Sequence, residues 1–184
     1  MKKIFLTCVA MMVFISPTHA KDWEVDRAQS KLGFVGNQNG EKFSGGFKNF
    51  TAQISFDPDH PETGKIVATI DIASAYAGSA DRDSMLPQKD WFDSSKFPQA
   101  QFASTSIRQT GPGQYEAAAT LSIKGVTKNV TLPFTLTPEG DHWHAEGKVT
   151  LMRNEFNLGT GMFVGETYVK NAVDVIVDLV AKPQ

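Results

Sequence analysis

The sequence predicts an all-β protein, an antiparallel sandwich or barrel, on three observations. Apolar and polar residues alternate through run after run, the period of two that puts one face of a pleated strand inside. Turn chemistry separates the runs, at Asp57-Pro58-Asp59-His60-Pro61, Gly111-Pro112-Gly113 and Pro138-Glu139-Gly140-Asp141. Helical periodicity is absent between the alternating runs, which disfavours a parallel α/β fold.

Taken in order, residues 32–35, 43–47 and 52–56 read as early strands. Ile66, Ala68, Ile70 and Ile72 then alternate with Val67, Thr69 and Asp71. Residues 75–98 break the rhythm. They hold Asp81, Arg82, Asp83, Asp90 and Asp93 beside Met85, Leu86, Trp91, Phe92 and Phe97, and one or two short helices are expected there. Ser79 is placed to cap a helix over residues 80–86, which Pro87 ends because proline disfavours the helical conformation before it. An insertion of this length between strands covers one end of a barrel or carries function. Alternation returns with Tyr115, Ala117, Ala119, Leu121 and Ile123 on one face, then Val130, Leu132, Phe134 and Leu136. Trp143, Ala145, Gly147, Val149 and Leu151 continue it, and Val173, Val175, Val177 and Leu179, backed by Asp174 and Asp178, close the series. Gly125 and Thr127 fit a hairpin whose glycine supplies a positive φ.

The chain begins as a secretory signal peptide does. Met1-Lys2-Lys3 is cationic, Ile4 to Ile15 is apolar, and Ser16-Pro17-Thr18-His19-Ala20 ends on small residues at the positions before cleavage. A run this short does not cross a hydrocarbon core of about 30 Å. Removal of twenty of the 184 residues leaves a single domain over residues 21–184, with 16 Lys+Arg against 20 Asp+Glu. Cys8 leaves as well, which excludes disulfides, cysteine-ligated zinc, iron–sulfur clusters and cysteine nucleophiles from the mature chain. An exported, cysteine-free chain fits a bacterial periplasm. Near-neutral charge without a Lys/Arg run argues against nucleic acid as a partner.

Thirteen Phe against three Tyr and three Trp indicate a large apolar interior, either a packed core or a tunnel. The remaining chemistry-bearing clusters read mostly as structural. His142 and His144 lie on one face of a strand and, with Trp143 inward, point to solvent; no metal and no cofactor is expected. Arg82 with Asp81, Asp83 and Asp93 reads as a salt-bridge network before a catalytic carboxylate group, because no nucleophile elbow, phosphate loop or His-Glu-x-x-His accompanies it. Arg153 either meets an anionic head group in a fork or forms an ion pair that locks the closing strands.

Specific motifs then accumulate. Arg82-Asp83-Ser84-Met85-Leu86, Asp90-Trp91-Phe92-Asp93 and Phe97-Pro98-Gln99-Ala100-Gln101-Phe102 resemble the signature of the YceI-like, polyisoprenoid-binding family. Residues 121–128, with the Gly125-Val126-Thr127 turn, and Arg153-Asn154-Glu155-Phe156 resemble its later segments. Trp23-Glu24-Val25-Asp26 with Ser30, and Gly46-Phe47 with Phe50, resemble its opening ones. The chain departs from that pattern at Gln29, where many members have histidine, and in residues 36–42.

The resemblance implies a single extended, eight-stranded antiparallel, lipocalin-like barrel around a long isoprenoid chain. It implies a binding or carrier protein without catalysis, for a quinone or polyprenyl phosphate type of lipid. The alternative is an enzyme on an isoprenoid or fatty-amide lipid, using acids of residues 81–93. Strand phase and aromatic content nominate Phe34, Phe47, Ile54, Phe102, Leu121, Phe134 and Phe156 for the tunnel. Arg82, Asp83, Trp91, Phe92 and Arg153 are nominated for the mouth and head group. Transient membrane contact is expected of such a carrier, and closure of the barrel removes the edges that would demand a dimer.

Overall fold

The structure is a computed structural model that describes residues 20–184; the leader reading therefore falls outside the described residues except at Ala20. Eleven strands form one antiparallel sheet: β1 Lys21–Val25, β2 Lys31–Gln38, β3 Glu41–Phe47, β4 Phe50–Phe56, β5 Lys65–Asp71, β6 Ala75–Tyr76, β7 Gln99–Gly111, β8 Gln114–Ile123, β9 Val126–Glu139, β10 His142–Met152 and β11 Ala172–Pro183. The order β1-β4-β5-β7-β8-β9-β10-β11 closes on itself through β1–β11 pairing, which makes an eight-stranded barrel. The other three segments extend it. β2 continues β1 along β11, β3 continues β4 along β2, and β6 continues β5 along β3.

Local chemistry explains the first break. Between β1 and β2 the Asp26 carboxylate accepts hydrogen bonds from the backbone of Ala28 (2.9 Å) and Gln29 (3.3 Å) and from the Gln29 amide (2.8 Å), a side-chain-directed turn. Ser30 then accepts from the Val180 amide (3.0 Å), so the strand regains β11 at once. The predicted helix forms as α1 Ala80–Met85, with the Ser79 hydroxyl accepting from the Arg82 amide. Lys124 and Gly125 both adopt positive φ, the demand of a tight two-residue hairpin.

One long strand escaped the sequence reading. β7 spans thirteen residues, but the register shift between Ser104 and Ser106 interrupts its alternation, and the Ser104 hydroxyl accepts from the Ile66 amide (2.8 Å). The 57–64 connection folds over the adjoining end of the barrel. There Trp23, Phe56, Ile107, Tyr115, Ala117 and Ala181 are buried, Tyr115 stacks on Phe134 at 5.4 Å, and Trp23 meets Trp143 edge-on at 5.8 Å. The Trp23 indole donates to the Phe56 carbonyl (2.8 Å). A second buried cluster, including Ile70, Ile72, Ala77, Leu86, Phe92, Ala100, Phe156 and Leu158, closes the opposite end beneath residues 77–98.

Outward polar positions link the strands. Trp143 faces inward and the flanking histidines engage different carboxylates: His142 lies 2.6 Å from Asp141, and His144 Nε2 lies 2.7 Å from Asp178. The hydrogen bond to Asp178 raises the His144 pKa above its ordinary value, against the opposing effect of burial. A raised folded-state pKa contributes stability that is complete below the unfolded value and lost as pH rises through the folded one. His144→Gln is therefore expected to lower the melting temperature most near pH 5.5 and least near about pH 9, measured against wild type across that range. A deficit independent of pH would contradict the pairing.

Candidate functional site

The inward residues of the barrel enclose two apolar chambers. The larger, about 200 Å³, is lined from every strand of the ring, from Trp23, Trp143 and Leu136 at the closed end to Ile123 and Leu151. The smaller, about 140 Å³, lies under residues 77–98 and the 157–171 loop. Phe47, Phe92, Ile123, Leu151 and Val175 line both, and Phe47 and Phe92 meet at 5.9 Å to form a waist between them. An apolar cavity of roughly 150 Å³ stays dry and takes apolar guests.

All seven residues nominated for the tunnel face these chambers. Phe34 and Phe156 line the smaller, Ile54, Phe102, Leu121 and Phe134 the larger, and Phe47 both. Of the residues nominated for the mouth, Arg82, Trp91 and Arg153 line the smaller chamber, while Phe92 is buried at the waist. Asp83 lines neither. Its carboxylate accepts from the Ala77 amide (2.5 Å) while Arg82 Nε donates to the Ala77 carbonyl (2.6 Å), so the pair clamps one backbone unit. For Arg82 and Asp83 this contact replaces the expected salt bridge, and no carboxylate lines either chamber among the described residues.

Arg153 also takes a role that the sequence did not disclose. It is 3% exposed and donates to six carbonyls: Lys170 (3.1 Å), Leu158 (2.7 Å), Gly159 (3.2 Å), Phe163 (2.8 Å), Gly165 (2.8 Å) and Val169 (2.7 Å). Its five N–H groups are spent on the 157–171 loop, leaving no fork for a phosphate and no carboxylate partner to lock strands. Burial lowers its pKa, with Glu166 opposing. Gly159, at φ +77°, is required here because any side chain would collide with the guanidinium. Asp90 ties the same loop to the 77–98 connection, its carbonyl accepting from the amides of Gly159 (2.7 Å) and Thr160 (2.9 Å) and its carboxylate from the Thr160 hydroxyl (2.6 Å).

Two polar groups remain available at the smaller chamber. Arg82 sits over the Phe43 ring at 4.8 Å and donates through Nη1 to Gln38 (3.3 Å), while Nη2 has no hydrogen-bond partner among the described residues. The Trp91 indole N–H is buried without a partner among the described residues, its ring 5.4 Å from that of Phe163 and 5.6 Å from the Arg153 guanidinium. Phe43, Phe163 and Val169 complete the wall and were not singled out from sequence. The last two lie in an irregular loop whose inward positions no periodicity marks.

Arg153→Lys keeps the charge but loses the fork geometry and orphans several buried carbonyls. It is expected to cost about 2–4 kcal/mol of unfolding free energy in denaturant titration. A cost below about 0.5 kcal/mol would contradict the role of the guanidinium as organiser of the loop.

The comparisons with known proteins agree with this architecture. Residues 23–181 match the family model of the YceI-like domain. Protein YceI of Escherichia coli O157:H7 is 31% identical over 169 residues, covering 85% of this chain and 86% of that protein. The crystal structure of Burkholderia cenocepacia BcnA superposes with a TM-score of 0.83 at 36% identity, over 86% of this chain and all of that one. A polyisoprenoid binding domain from Saccharophagus degradans, implicated in plant cell wall breakdown, shares the fold at a TM-score of 0.69 and 14% identity, over 89% of this chain and 99% of that one. With a model match over most of its length and a closed eight-stranded barrel of the same architecture, the chain belongs to the YceI-like domain family.

Proposed function

We propose that the protein is a non-catalytic carrier that holds the tail of one isoprenoid lipid, of the quinone or polyprenyl phosphate type, along its two chambers. The observation that carries this reading is the adjoining pair of apolar chambers, the smaller bordered by the polar groups of Gln38, Arg82, Trp91 and Arg153. Each buried methylene contributes about 0.8 kcal/mol, so a prenyl tail is held by its length, with few polar contacts. Apolar walls do not select a head group; Arg82 Nη2 and the Trp91 indole N–H are the donors offered to one. The name of the Saccharophagus domain supports the choice of an isoprenoid. An enzyme using the 81–93 acids is disfavoured by their position outside both chambers.

The carrier is read as periplasmic, from the leader sequence, and as exchanging its lipid with a membrane. Met162 (69% exposed), Val164 (68%) and Tyr168 stand outward on the same loop whose Phe163 and Val169 line the smaller chamber, an apolar rim suited to brief membrane contact.

All three tryptophans, Trp23, Trp91 and Trp143, line the chambers, so a bound quinone is expected to quench their fluorescence. A farnesyl-tailed benzoquinone should quench saturably at one per chain. Ala68→Trp, which fills the larger chamber, should reduce the affinity at least about tenfold at a temperature where the variant is still folded. Unsaturable quenching, or equal affinity in Ala68→Trp, would contradict the proposal.

A further inference from the structure

The wall of the barrel is not hydrogen-bonded all the way round. β9 and β10 pair only from Phe134 and Gly147 to Glu139 and His142. Beyond that point Val126–Pro133 pairs with β8 alone and Lys148–Met152 with β11 alone. Pro133 stands at the divergence. A side chain on Gly147 would lie 3.1 Å from the Pro133 carbonyl, so that edge of Pro133 faces β10, and on it proline has no N–H to continue the ladder. The far end of the seam is pinned where the Lys124 ammonium donates to the Asn157 carbonyl (2.8 Å).

Side chains, in place of a ladder, close the seam. Leu132 is buried and its Cδ1 approaches the space beside Gly147. A depression on the outer surface, reached by Pro133, Lys148 and Ile176, has Phe134, Gly147 and Val177 among its lining residues, and these three also line the larger chamber. The depression therefore sits over the last ladder pair, Phe134 and Gly147, at the point where the unpaired stretch begins. Separating β8 from β9 or β10 from β11 would break ten register pairs each; opening the stretch between 126–133 and 148–152 breaks none.

We propose that the seam between β9 and β10 is a lateral portal through which the lipid tail enters and leaves the larger chamber sideways. The inference rests on the lipid-carrier reading and adds the route. A tail threaded endwise from the smaller chamber reaches the larger one only through the Phe47–Phe92 waist and toward a closed end; a tail entering through the seam reaches the larger chamber directly.

Continuing the register across the seam sets Thr131 opposite Thr150, both exposed, whereas Thr135 and Glu146 are paired within the ladder. The mature chain has no cysteine, so paired cysteines act alone. Loading of a farnesyl-tailed benzoquinone from phosphatidylcholine vesicles is followed by tryptophan quenching. Thr131→Cys/Thr150→Cys, joined as a disulfide, is expected to load at least about tenfold more slowly to the same final occupancy, and dithiothreitol restores the rate. Thr135→Cys/Glu146→Cys, which joins strands already paired, loads as wild type. Pro133→Val, which restores the missing N–H, loads several-fold more slowly without any cross-link.

Wild-type rates in the joined Thr131→Cys/Thr150→Cys protein overturn the portal. So does equal slowing in the ladder control, or a pair that fails to join together with a Pro133→Val protein that loads normally. A wild-type protein that takes up no quinone contradicts the carrier reading instead.

Discussion

Three register pairs, Trp23 with Pro183, Glu24 with Lys182 and Val25 with Ala181, turn a sheet of eight strand positions into a ring. Closure fixes the inside. Because successive strand residues face opposite ways, every second side chain of the ring becomes lining, and an alternating sequence is converted into an apolar tube without a dedicated packing element. The same closure pairs most of the edges that an open sheet would expose, leaving those along the β9–β10 seam and at β6. What the ring does not determine is its two ends. One is packed by Trp23, Phe56 and Tyr115 under the 57–64 connection, and the other is formed by two irregular segments, 77–98 and 157–171.

Those irregular segments depend on buried polar groups where the strands depend on apolar phase. Arg153 gathers six carbonyls of one loop and Asp90 fastens that loop to the facing connection. Arg82 and Asp83 share the two polar groups of Ala77. Such groups hold a surface open where hydrophobic collapse alone would close it, which keeps the Phe43, Trp91 and Phe163 side chains arranged around the smaller chamber. The protein therefore divides its labour between a larger chamber shaped by strand periodicity and a smaller one shaped by hydrogen bonds.

This division decides what the sequence disclosed. The lining of the larger chamber was legible because period-two alternation names its residues directly: Ile54, Leu121 and Phe134 fall where phase puts them. The short helix was legible from Ser79 and Pro87. β7 was obscured by the bulge at Ser104 to Ser106 and by an inward serine. β1 and β2 were read as separate strands, but the Asp26 side-chain turn that divides them carries no alternation of its own. The roles of Arg153 and Asp83 were not legible because their partners are backbone carbonyls and amides, which every residue carries and no motif marks. A guanidinium facing carbonyls looks, in one dimension, like a guanidinium awaiting a phosphate.

The central claim is that the two chambers together hold one isoprenoid tail. Its most direct test is purification of the protein from its native compartment without detergent, followed by organic extraction and mass spectrometry, with protein denatured before purification as the control. The account predicts one isoprenoid species at close to one per chain in the native sample alone. Native protein that yields no lipid, and gains none when offered quinone or polyprenyl phosphate, would contradict it and make the Phe-rich interior a packed core.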